Sequence, residues 1–475
     1  MTTGIRTAIA ALTAGAVVLT AGAPAWAGDD TTRLSVRPGT TLAALHAGAV
    51  GVDEPMWSPA FADAAVPGLI RGANIQTLEF NGGGVSDLYH WRTGTAQADP
   101  DPVGHPDYSQ LPPQFTFDQF AETARATGAK TLVHVNYGTG TPAEAAAWVR
   151  YARQRHDHVS GWAVGEEVWG NGGLPGVDFQ PDAHADKSPQ AYATNALKFI
   201  AAMKAADPSA RVGVELVGVQ DAKFQPWDET VMSIVGKKAD FVDIHAYPFG
   251  PHDTSDAGVL AFPRTIAAKM TAVRQLVDEY ASPRTDIVVG ETNSAAVPTP
   301  QQIGQVNALY LADDVLSLLD DVLSLLDGGA RNVDWWALHN GGFGVFKGGD
   351  LGLLSTGSDD CSQDHTICAP PAQTPYRTYP AMQLVGTMTR GGTAMVPVSS
   401  SNPLVVGHAV RGPGGTLAVL VQNDDPAKAA TVRFDVPGYH AVSALRYGSS
   451  DPAPHPVAVG GRLPAYSLTL IQFRR

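Results

Sequence analysis

Gly161-Trp162-Ala163-Val164-Gly165-Glu166-Glu167-Val168-Trp169 and Ile287-Val288-Val289-Gly290-Glu291-Thr292-Asn293 decide how this chain reads. Each is an apolar run ending in a carboxylate, the pattern of a buried strand that presents an acid at its tip. Paired carboxylates of this kind cleave glycosidic bonds: one protonates the leaving oxygen while the other attacks the anomeric carbon. Both must converge on one pocket, so the fold has to join strand ends that are distant in sequence.

Outward from these two runs, strand-like and helix-like segments alternate, as in a parallel α/β fold. Strands are expected near Ala47–Val52, Ile75–Phe80, Thr131–Tyr137, Gly161–Glu167, Arg211–Val219, Phe241–Phe249, Asp286–Asn293 and Asn332–Asn340. Helices are expected over Phe117–Thr127, Pro142–Gln154, Pro189–Ala206, Val259–Tyr280 and Ile303–Leu326. Eight such units over residues 47–392 fit a (β/α)8 TIM barrel, whose active site lies at the C-terminal strand ends. Glu167 and Glu291 would then close strands four and seven.

From residue 393 to 475 the texture changes to short alternating runs, among them Leu417–Gln422, Thr431–Val436 and Tyr466–Phe473, which read as a C-terminal β-sandwich domain. Residues 28–46 form an N-terminal segment, and Arg33–Val36 within it is expected to add an edge strand to that sandwich. One repeat is plain: Asp313-Asp314-Val315-Leu316-Ser317-Leu318-Leu319 recurs as Asp320–Leu326. Seven residues are close to two helical turns, so this duplication extends a helix while keeping its apolar face in register.

Residues 1–27 read as a secretory signal peptide, with Arg6 ahead of an apolar stretch from Ala8 to Leu19 and Ala25-Trp26-Ala27 as the cleavage site. An exported, extracellular protein follows, with no membrane association once the signal is removed; an uncleaved N-terminal anchor is the alternative. The 475 residues are 44% hydrophobic and carry a formal net charge of −14, which argues against nucleic acid as a partner. Cys361 and Cys368, the only two cysteines, suit a local disulfide that ties a loop. The fourteen histidines show no HExxH or comparable spacing, so neither a metal nor a cofactor is expected. The acidic loop Ser355–His365 lacks the ordered ligand spacing of a calcium site and reads as solvated. Oligomeric state is not legible.

Gly165-Glu166-Glu167 resembles the Gly-Asn-Glu acid/base motif of clan A retaining glycoside hydrolases, and Glu291-Thr292-Asn293 resembles their strand-seven nucleophile motif. Asn81-Gly82-Gly83-Gly84 with Tyr89-His90-Trp91, Asn136-Tyr137-Gly138-Thr139-Gly140-Thr141 with Glu144 to Val149, and Asp243-Ile244-His245-Ala246-Tyr247 look like the α-L-arabinofuranosidases and their endoglucanase and xylosidase relatives. The likeness runs from about residue 47 to 392. It implies Glu167 as general acid/base, Glu291 as nucleophile, and an oligo- or polysaccharide substrate near Glu166, Glu79, Asn81, Asn136, His245, Tyr247 and Trp336. Two positions depart from the pattern: Glu166 replaces an Asn that hydrogen-bonds the sugar, and Glu79 replaces an Arg that supports the nucleophile. Such crowded carboxylates cannot all ionise cheaply, so some pKa values should rise.

Alternation along a strand gives a separate test of the assignment. It sets Ala163, Gly165 and Glu167 on one face and Trp162, Val164 and Glu166 on the other, and it groups Asp243, His245 and Tyr247. Small residues suit a barrel interior, which favours Glu167 as the inward acid. Trp335 and Trp336 would offer a stacking platform for a sugar or pack the barrel, with Trp91 and Trp169 as further aromatics. Each polar residue also has a structural reading: a glutamate at a strand end can serve an ion pair, and His245 and Tyr247 can be satisfied core residues. Three functions follow: a retaining glycosidase with an acidic optimum or altered glycone preference, a sugar-binding barrel that has lost catalysis, or a site for a cationic amino sugar.

Overall fold

The computed structural model describes residues 31–100, 115–219, 222–248, 253–282, 284–320 and 329–475. The signal-peptide reading and most of the second heptad copy, residues 321–326, lie outside them. Eight parallel strands close into a barrel: β1 (Val50–Glu54), β2 (Thr77–Phe80), β3 (Lys130–Val135), β4 (Gly161–Val164), β5 (Val212–Glu215), β6 (Phe241–Ala246), β7 (Asp286–Thr292) and β8 (Asn332–Trp335). β8 returns to β1 with Val333 opposite Val50, which completes the ring. The (β/α)8 expectation is borne out.

The helices whose ends were legible carry their own stop and start signals. Over Phe117–Thr127, Thr116 and Gln119 form a reciprocal capping box, and Gly128 ends the helix at φ 72°. Over Pro142–Gln154 and Pro189–Ala206, Thr141 and Ser188 cap the first turn and proline follows immediately. The single helix expected over Val259–Tyr280 is instead two, Asp256–Ala261 and Ile266–Tyr280. Pro263 sits in the 3-10 turn between them, where its ring cannot continue the ladder. Helices over Val66–Gly72, Gln225–Val235 and Thr378–Thr389 were not anticipated; each contains proline, and two contain glycine, residues that read as breaks. Among the described residues no helix is long and apolar enough to cross a membrane.

Inside the barrel, side chains sort by height. Leu132, Ala163, Phe241 and Val288 form an apolar plug near the N-terminal end. Phe241 lies across β5, where a Cβ at residue 213 would enter its ring, so this position requires glycine. Trp162 and Val164, by contrast, join the core beneath the helices, and Trp162 meets Trp148 edge-on at 5.6 Å. Above the plug the interior turns polar: Asp53, Glu79, His134, Glu215, Asp243 and Asp334 are all fully buried.

The C-terminal sandwich is present, and its strands match those expected to within a residue at each end. A seven-stranded sheet includes Thr416–Asn423, Ser467–Arg474 and His440–Gly448, and it faces a four-stranded sheet across Leu34, Val419, Val421, Val432, Ile471 and Phe473. The N-terminal strand, Thr31–Val36, is not at an edge as expected. It runs between Val398–Ser400 and Ala430–Asp435, parallel to the latter, and buries Leu34 and Val36 completely. The described residues thus begin and end in the sandwich, with the barrel between. The outer face of the larger sheet, through Ala418, Leu420, Leu468 and Leu470, is continuous with the barrel's hydrophobic core.

Candidate active site

β4 ends at Val164, and the next residues leave extended geometry: Gly165 has φ 85° and Glu167 φ 42°. A glycine accepts such a conformation freely, whereas a glutamate there is strained and has to be held by its surroundings. Asp87 supplies part of that hold, because its carboxylate accepts the backbone N–H groups of Tyr137 (2.8 Å), Gly138 (3.0 Å) and Glu166 (3.3 Å). Burial pushes the Asp87 carboxyl up to about 8, against the N–H groups of Tyr137 and Gly138. The left-handed turn breaks the alternation read from sequence. Glu166, expected on the helix side, turns into the barrel as Glu167 does.

The two acids meet on one imidazole. His245 Nδ1 lies 2.8 Å from Glu167 Oε1 and 3.6 Å from Glu291 Oε2, and His245 Nε2 lies 3.7 Å from Glu166 Oε1. Glu167 Oε2 accepts from Gln180 Nε2 at 3.1 Å, and Glu291 Oε2 accepts from the Tyr247 hydroxyl at 2.7 Å. One imidazole nitrogen thus lies within 4 Å of an oxygen of each acid, which puts both carboxylates in one pocket.

The charges are uneven. Burial opposes ionisation of Glu166, yet His134, 2.9 Å away, and His245 outweigh it and hold its pKa down at about 2. Burial also disfavours the His245 imidazolium, but Glu291, Glu166 and Glu167 raise its pKa well above the usual value. Glu291 is pushed well above the carboxylate range by burial; His245 draws it back, while Glu166, Glu167 and Asp53 add to the rise. The expected rise falls on the nucleophile candidate and, by burial, on Glu79, whereas Glu166 stays ionised. A nucleophile must be ionised, so activity should fall as pH drops through this raised value. That places the acid limb above the ordinary carboxylate range.

The mouth is a cleft of about 910 Å³ lined by Trp57, Phe179, Tyr247, Trp336, Phe346 and the two acids. Trp336 and Trp57 are 6.0 Å apart at 60°, and Asn340 fixes both: its side chain accepts from Trp336 Nε1 at 3.1 Å and its carbonyl from Trp57 Nε1 at 3.0 Å. Other sequence-derived candidates lie elsewhere. Glu79 is in the barrel core against His134, Glu166 lies beneath the pair, and Asn81 is fully buried. Asn136 shapes its own loop, accepting from Thr139 N (2.9 Å) and Gly140 N (2.8 Å). None of these four lines the cleft, because strand ends that look alike in sequence sit at different heights in the barrel. His245 touches the acids from behind rather than the open cleft. Trp335 packs on Tyr310, Trp91 stacks on Trp148 and Trp169 meets Phe179 edge-on, so of these four tryptophans Trp336 is the one that lines the cleft.

Trp57 and Gln180 were missed, the first because a tryptophan after a short strand carries no marker and the second because it lies on a long irregular loop. The Cys361–Cys368 disulfide is formed. Asp360, just before it, accepts from Phe343 N at 2.9 Å and Thr356 Oγ1 at 3.1 Å and so shapes one rim of the cleft.

No protein-family model matches the chain. A stretch of 162 residues is 28% identical to a probable α-L-arabinofuranosidase C of Aspergillus fumigatus, covering 30% of this chain and 30% of that protein. The match therefore spans under a third of such relatives' length. A longer match, 24% identical over 426 residues, covers 79% of this chain and 77% of an exo-α-(1→6)-L-arabinofuranosidase of Bifidobacterium longum. Among solved structures, a family 51 α-L-arabinofuranosidase from Bifidobacterium longum superposes with TM-score 0.70 at 17% identity, over 93% of this chain and 99% of that one. The fold is shared with the family 51 arabinofuranosidases. The likeness covers the sandwich as well as the barrel, so the whole two-part architecture is common to both.

Tyr247 offers a direct test of the pair. A hydroxyl that donates to a carboxylate favours its ionised form, and a hydrogen bond to a charged group contributes about 1.5–3 kcal/mol. Tyr247→Phe should lower kcat/KM by roughly one to two orders of magnitude at neutral pH and move the acid limb to higher pH. A pH–rate profile of the variant that keeps the wild-type acid limb would separate Tyr247 from Glu291.

Proposed function

We propose that this protein is a secreted retaining glycosidase that releases arabinofuranosyl or related pentosyl units from plant glycans. The convergence of Glu167 and Glu291 on His245 at the C-terminal mouth of the barrel carries this reading, and the arabinofuranosidase relatives favour the glycone. Glu167 protonates the glycosidic oxygen while Glu291 attacks the anomeric carbon, forming a glycosyl ester. Glu167 then deprotonates the water that cleaves the ester, and configuration is retained. Gln180 and His245 orient Glu167; Tyr247 and His245 hold Glu291. The sugar stacks on Trp336, and the open cleft leaves room for the rest of a branched chain.

The test is a panel of aryl glycosides and polysaccharides, α-L-arabinofuranosides, β-xylosides, β-glucosides, arabinan and xyloglucan, with product anomers followed by NMR. Retained configuration on the arabinofuranosides supports the proposal. Sugar binding without turnover, unchanged by Glu291→Gln, would establish instead a binding barrel that has lost catalysis. Trp336→Ala should raise KM about tenfold with little change in kcat, since a platform that holds the sugar equally before and in the transition state affects binding alone.

A further inference from the structure

Beneath the catalytic pair, Glu79 on β2, His134 on β3, Glu215 on β5 and Asp243 on β6 face one another across the barrel axis, and all are fully buried. Glu215 and Asp243 are register partners on adjacent strands, which puts both side chains on the inner face. Gly290 on β7 makes room for them: a Cβ there would stand 2.8 Å from Asp243 Oδ1 and 3.1 Å from Glu79 Oε1. Among the described residues, no lysine or arginine pairs with any of these acids.

The donor set is that of a metal site. His134 Nδ1 lies 2.8 Å from the Gly165 carbonyl oxygen, which can only accept, and 2.9 Å from Glu166 Oε2, so Nδ1 carries a proton. In the neutral ring the lone pair is then on Nε2, directed at Glu79 and at Asp243 Oδ2, 3.8 Å away. A histidine held by a backbone carbonyl at Nδ1, with Nε2 turned to carboxylates, is how proteins orient a ligating imidazole, the metal taking the place of any proton shared between Nε2 and Glu79. One ligand atom each from Glu79, His134 and Asp243 lies within 4.8 Å of the other two. Independently, Asp243 Oδ2 and both oxygens of Glu215 are buried without a hydrogen-bond donor. Glu215 Oε1 is 3.9 Å from the His134 ring, so the orphaned carboxylate borders the same space. Unpaired carboxylates are among the costliest groups to bury, and one imidazole cannot balance several.

We propose that this interior holds a divalent metal ion, ligated by His134 Nε2 and the carboxylates of Glu79 and Asp243, with Glu215 in reach to complete the set. One imidazole among carboxylates, without thiolate, suits Zn²⁺ or Mn²⁺ and disfavours Ca²⁺, which takes oxygen alone. Two other groupings do not compete. Glu166, His245 and Glu291 also come within 4.8 Å of one another, but they belong to the reacting site, and Cys361 and Cys368 beside His365 are consumed in the disulfide.

The full chain would be produced in medium supplied with Zn²⁺ or Mn²⁺ and, separately, in chelator-treated medium, then passed through gel filtration in EDTA. Elemental analysis should find close to one equivalent of metal in the first preparation, and calorimetry a higher Tm than for the second. X-ray absorption should show nitrogen and oxygen neighbours including an imidazole and no sulfur. Glu79→Gln and Asp243→Asn should each lose the metal. Retention of metal in both variants, metal-free protein with the same Tm from either medium, or a spectrum lacking imidazole overturns the proposal. If the variants fail to fold, the stoichiometry and spectrum of the wild-type protein decide alone. These readouts do not depend on glycosidase activity, so the two proposals can fail separately.

Discussion

Glu291→Gln lowers kcat by about 10⁴-fold or more on any glycoside the wild-type protein cleaves, with no comparable rise in KM. The substitution keeps shape and leaves an amide oxygen to accept from Tyr247, so the pocket is preserved while the attacking oxygen is lost. The contrast with Glu167→Gln makes the measurement diagnostic. Losing the acid costs roughly 10²–10⁴-fold where the leaving group needs a proton. On an aryl glycoside with a stable phenolate leaving group, the first step needs little protonation, so Glu167→Gln should retain it and stall at ester hydrolysis. Glu291→Gln should be inactive on both. Equal sensitivity of the two variants to leaving group would overturn the division of labour between strands four and seven.

The parts of this site legible in the sequence are those set by short-range rules. A run of β-branched residues closed by a carboxylate marks β7 and Glu291, and small residues alternating with bulky ones correctly place Ala163 inside and Trp162 outside. Alternation fails at Glu166 because Gly165 and Glu167 take left-handed conformations, which no strand pattern encodes. The acidic layer lower in the barrel did leave a trace: Asp53, His134, Glu215 and Asp334 each directly follow a buried valine in their strand. A single polar residue in a buried strand has several uses, and only closure of the barrel shows that these residues fall at one height. The rims of the cleft, with Trp57 and Gln180, depend on loop paths that no periodicity governs.

The duplicated heptad leads to the largest expected effect on stability. Asp313 and Asp320 occupy the same position in the two copies, so on the helix Gln305–Asp320 they lie two turns apart, about 10.5 Å along the axis and nearly on one face. His408, on the sandwich strand Val405–Arg411, enters between them: Nε2 is 2.9 Å from Asp313 Oδ1 and Nδ1 is 2.7 Å from Asp320 Oδ2. The repeat thus makes a two-pronged acceptor that pins the sandwich to the barrel. Burial opposes the imidazolium, but Asp320 and Asp313 outweigh it and raise its pKa to about 10. Removing one partner from a buried ion pair leaves uncompensated charge and costs about 3–5 kcal/mol. Asp320 keeps some solvent contact while Asp313 has almost none, so His408→Ala should cost about 3 kcal/mol, the lower end of that range. Because the folded pKa lies above the unfolded value of about 6.5, this stabilisation is fully present below that pH and is lost as pH rises through about 10. Urea unfolding at pH 6 and pH 10 is the measurement. The gap between wild type and His408→Ala should be wide at the lower pH and narrow at the higher, and Asp313→Asn should follow the same course. A gap independent of pH would mean that His408 acts there by packing alone.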